Sequence, residues 1–120
     1  GGGTLAMLIA RELTRVQALV TLSGNLSVSR WQQYHQFTPL VGSLDPAMLS
    51  PLSRRVEQFH LAASGDEQIL PQWVEDEAVR QQGEYQLWEL PGHKSWSQHW
   101  SQLDDFLERV FSRQSNRPCP

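Results

Sequence analysis

Apolar residues recur along the chain in separated blocks, and their spacing predicts which blocks coil and which extend. Over residues 4–14, Leu5, Leu8, Ile9 and Leu13 repeat at helical spacing, while Ala6, Met7 and Ala10 leave most other faces small or apolar. This predicts a helix buried nearly all round, packed on a sheet. Residues 16–24, "VQALVTLSG", are a short apolar run with β-branched members and a glycine stop. A run without clean alternation predicts a strand covered on both faces, as in a parallel sheet. A helix follows over 28–36, with Ser27 as its cap. The stretch "FTPLVGSLDPAMLSPLSRR" carries three prolines and reads as an irregular excursion with one helical turn at 46–49.

A second strand is expected over 56–64, then the loop "GDEQIL", then a helix over 71–82 opened by Pro71. A third strand over 84–90 leaves through "PGHKSW". The last helix, 97–112, shows Trp100, Leu103, Phe106, Leu107 and Val110 on one face, and Trp96 and Trp100 are expected to anchor it. Residues 113–120 read as a flexible tail. Strands that alternate with helices in this way predict an α/β fold: three parallel strands joined by right-handed crossovers.

Length and composition narrow the class. At 120 residues the chain suits one domain, and 39% hydrophobic with 19% charged residues fits a globular protein rather than a disordered one. No apolar run approaches the ~18 residues of a membrane-spanning helix. A net charge of −3 gives no electrostatic footprint for nucleic acid. The single cysteine, Cys119, excludes an internal disulfide and leaves the compartment open, cytoplasm or bacterial envelope.

In a parallel α/β sheet the working residues collect in loops beyond the carboxyl ends of the strands. Asp66 and His93 occupy two such loops after consecutive strands. A histidine general base needs its other ring nitrogen held by a carboxylate, and this pair has the required placement. Glu67 is the alternative acid: the strand end favours Asp66, the distance to Pro71 favours Glu67. Trp31, Tyr34 and His35 share a helical face and read either as an apolar substrate pocket or as core. His60, inside a strand, reads as structural. With no Cys cluster and no H-E-x-x-H, neither a metal nor a cofactor is implied. The opening "GGGT" lacks the Gly-Lys-Ser/Thr of a phosphate-binding loop.

Three stretches, "GGGTLAMLIA", "ASGDEQILP" and "LPGHKSW", together resemble the second half of an α/β-hydrolase. The segment "GNLSVSRWQQYHQFTPLVGSLDPA" is also similar to a subgroup of bacterial hydrolases. The resemblance spans nearly the whole chain and implies a serine hydrolase acting on carboxylic esters or related acyl substrates. It matches "GGG" to the stretch after the nucleophilic serine, so residues 1–120 correspond to the C-terminal half and the serine itself is not among them. It implies Asp66 and His93 as catalytic residues and the Gly1 N–H as an oxyanion donor. It also implies that residues 16–22 lie at a sheet edge that pairs with the rest of a parent chain or self-associates. The alternative function is a non-catalytic α/β binding or scaffolding module that keeps the fold.

Overall fold

A computed structural model describes residues 2–38 and 44–115. The expected alternation is present: α1 (Gly2–Glu12), β1 (Ala18–Leu22), α2 (Val28–Tyr34), β2 (Glu57–Ala63), α3 (Pro71–Gln81), β3 (Glu84–Trp88) and α4 (Trp100–Ser115), with 3-10 turns at Pro46–Met48 and Ser95–Gln98. The strands form one parallel sheet in the order β1-β2-β3, with Thr21 opposite His60 and His60 opposite Tyr85. β1 is thus an edge strand, as expected. β2, paired on both sides, is buried from Gln58 to Ala63.

Alternation along β2 divides the core. Phe59, Leu61 and Ala63 face α4, where they meet Leu103, Phe106 and Val110. On the opposite face Ala62 meets Val74 of α3, and Leu19 of β1 meets Met7 and Ala10 of α1. Helices therefore cover both faces of the sheet, which is why β1 reads as a largely apolar run.

The second face also holds a polar chain. Thr21 Oγ1 lies 2.7 Å from His60 Nδ1, and His60 Nε2 lies 2.9 Å from Gln58 Oε1. Gln58 donates onward to Gln81, which donates to Glu77, which is paired with Arg80. With Gln58 Oε1 as acceptor, His60 carries its proton on Nε2 and accepts the Thr21 hydroxyl at Nδ1. Burial disfavours the charged ring and pushes the His60 pKa down from 6.5 to about 4.

Four expectations need correction. Helix α1 is buried on one face only: Met7 and Ala10 point inward, while Leu5, Ile9 and Leu13 are exposed. Ser27 makes no capping bond; the Asp45 carboxylate receives the Val28 and Ser29 N–H groups instead, at 2.9 and 3.0 Å. Trp96 alone is buried against the sheet, because the 3-10 turn brings its ring beside Trp88, whereas Trp100 is 62% exposed and Leu107 also faces out. Residues 113–115 continue α4 rather than starting a tail; residues 116–120 lie outside the described residues.

Candidate active site

The exits of β2 and β3 are bound to each other before either reaches the cleft. Ser64 N–H donates to the Trp88 carbonyl and Gly65 N–H to the Leu90 carbonyl, each at 2.8 Å, so pairing continues past the strands. Gly65 then passes the Pro91 carbonyl too closely for a side chain; a Cβ there would come within 2.7 Å of the Pro91 carbonyl carbon. This approach sets the next residue of one loop, Asp66, opposite the histidine of the other.

His93 Nδ1 lies 2.8 Å from Asp66 Oδ2. Oδ1 of the same carboxylate receives the Gln68 and Ile69 N–H groups at 2.8 and 2.9 Å. The Asp66 side chain is 0% exposed and that of His93 is 40% exposed. A buried carboxylate needs partners for both oxygens, and here two amides and one imidazole supply them. Because an ionised carboxylate only accepts, Nδ1 carries the proton, and Nε2 is the basic nitrogen of the neutral ring. Glu67 is exposed and lines the cleft wall, but the carboxylate on the imidazole is that of Asp66.

The His93 loop is itself closed. Ser95 Oγ accepts the Gly92 N–H at 3.1 Å and Ser95 N–H returns to the Gly92 carbonyl at 3.1 Å. One residue further, Trp96 Nε1–H donates to Ser23 Oγ at 2.9 Å. Ser23 directly follows β1 in a left-handed conformation, with φ of 50°, which an L-residue adopts at a cost of about 1–2 kcal/mol. No sequence pattern marked Ser23; its place between a strand and Gly24 is the one available signal.

His93 faces a cleft of about 1310 Å³ at the carboxyl end of the sheet, walled by Gly3, Leu22, Gly24, Trp31 and Gln68. The N-terminus of α1 opens into it. A Cβ on Gly3 would lie 2.5 Å from the Gly24 Cα, so only glycine lets the helix head reach the loop after β1. Unpaired N–H groups and the helix dipole make that head favourable to negative charge.

Of the expected pocket residues, Trp31 lines the cleft, whereas Tyr34 and His35 are not part of its lining. Tyr34 packs on Trp73, and His35 Nε2 lies 2.9 Å from the Gln68 carbonyl. Gly1 lies outside the described residues. Among the described residues two hydroxyls line the cleft: Thr4 Oγ1 donates to the Asn25 carbonyl, and Ser23 Oγ accepts from Trp96 Nε1–H. Among the described residues no three His, Cys, Asp or Glu side chains are grouped to hold a metal. Neither a family model, nor a curated protein, nor a solved structure matches this chain.

Proposed function

We propose that the domain belongs to a serine hydrolase of the α/β-hydrolase type that cleaves carboxylic esters or related acyl substrates. Asp66 and His93 serve as its acid–base pair. The observation that carries this reading is the buried Asp66 carboxylate on His93 Nδ1, in a cleft that also receives a glycine-lined helix head. The nucleophile, as the resemblance implies, is a serine outside these 120 residues.

In this reading His93 Nε2 removes the serine proton as the oxygen attacks the acyl carbon. The imidazolium that forms is stabilised at Nδ1 by Asp66, whose other carboxylate oxygen is held in place by two backbone amides. The acyl oxygen takes up the electron pair and becomes an oxyanion near the head of α1, with the Gly1 N–H as one donor. Its collapse expels the alcohol, which takes the proton from His93. Water then repeats the sequence on the acyl-enzyme, releasing the acid and restoring the serine.

Labelling of the full-length protein with a fluorophosphonate tests the reading. The wild type should form a serine adduct, and His93→Ala should abolish labelling on the same timescale. Equal labelling of both proteins, or none of the wild type, would contradict it.

A further inference from the structure

We infer that Ser23 is a positioning residue for His93: its hydroxyl anchors Trp96 and so fixes where the imidazole stands over the cleft. The inference rests on Asp66 and His93 being the acid–base pair.

Three observations carry it. The Ser23 side chain is buried and meets Trp96 Nε1–H at 2.9 Å, a bond between residues 73 positions apart in the chain. The Trp96 ring lies tilted against Trp88, with centroids 5.5 Å apart and planes at 50°, inside the core beside α4, and the N–H bond to Ser23 is the directional contact that points its indole edge at β1. Trp96 follows directly on the turn closed between Gly92 and Ser95, which carries His93 at its centre. A shift of the indole would thus act on the histidine through a turn closed by two hydrogen bonds. Asp66, by contrast, is fixed from the other side by Gln68 and Ile69. The two halves of the pair thus have separate anchors, and Ser23 belongs to the histidine's.

The backbone supports the same conclusion. At φ of 50° glycine would be unstrained, whereas serine is disfavoured. The Ser23 N–H already donates to the Leu61 carbonyl at 2.8 Å, so the chain path does not depend on the hydroxyl. What serine adds at this site is an acceptor for the indole.

Ser23→Ala, Ser23→Gly, Trp96→Phe and the double variant Ser23→Ala/Trp96→Phe, made in the full-length protein, test this. Ser23→Gly relieves the backbone and keeps the experiment decisive should the alanine variant fail to fold. Fluorophosphonate labelling should slow ~10- to 100-fold in each folded single variant, as expected for a misplaced base. The midpoint of its pH–rate profile should move, and the double variant should be no slower than the slower single one. Wild-type rates with an unchanged profile, or losses that multiply, would overturn the inference. Should the wild type itself not label, the hydrolase reading fails separately. The low-field NMR resonance of the His93 Nδ1 proton then decides alone: broadening or loss in Ser23→Gly upholds the anchor, and an unchanged resonance refutes it.

Discussion

Gly65 and Pro91 meet backbone to backbone, with no room for a Cβ between the glycine and the proline carbonyl. This contact joins the loop carrying Asp66 to the loop carrying His93, and the 2.8 Å bond between those side chains follows from it.

Gly65→Ala should therefore separate the loops. Forcing a methyl group against fixed backbone costs about 1–3 kcal/mol. Urea denaturation should report a loss of that size, and labelling should fall with it. Gly92 is the control: a Cβ there meets nothing within 4 Å, so Gly92→Ala should change stability by no more than about 0.5 kcal/mol.

His60 makes stability depend on pH. Its folded pKa of about 4 lies below the ordinary 6.5, so between these values the unfolded chain binds a proton that the native state refuses. Stability should be complete above pH 6.5, fall as pH drops from 6.5 towards 4, and level off below, for a total of about 3 kcal/mol. Denaturation series at successive pH values should show this slope in the wild type and a shallower one in His60→Gln. Equal slopes would mean that another group governs the response.

The exposed stripe of Leu5 and Ile9 on α1, continued by Leu13 just past its end, lies beside edge strand β1. Open strand edges and apolar faces pair with whatever fits them. The 120-residue chain alone should self-associate in sedimentation experiments, and Leu5→Glu with Ile9→Lys should shift it towards monomer. A wild-type chain that stays monomeric across the micromolar range would contradict this.

The order of elements was legible because periodicity reports it directly: the "VEQFHLAAS" run becomes β2, and Pro71 opens α3 where a helix-starting proline belongs. Asp66 and His93 were legible as a pair because parallel topology brings both loops to one end of the sheet. Other features depend on distant contacts that local pattern does not encode. The cap of α2 comes from Asp45, 17 residues away from Val28, so the local candidate Ser27 was the wrong one. Trp96 and Trp100 are alike in sequence, and the 3-10 turn decides which of them is buried. Apolarity in α1 was read correctly, but apolarity does not state what covers it. The hydrogen bond of Ser23 has no local signature either, since its indole partner lies 73 residues on.

Ester hydrolysis by the full-length protein carrying Asp66→Asn, His93→Ala, both, or Glu67→Gln is the most direct measurement of whether Asp66 and His93 act as one unit. An asparagine amide facing Nδ1 would impose the wrong tautomer, so Asp66→Asn should lower kcat by ~10⁴. His93→Ala should lose at least as much, and the double variant should be no slower than His93→Ala, because groups that act together are not additive. Glu67→Gln should keep the wild-type kcat. Wild-type turnover by Asp66→Asn, or losses that multiply in the double variant, would contradict the account.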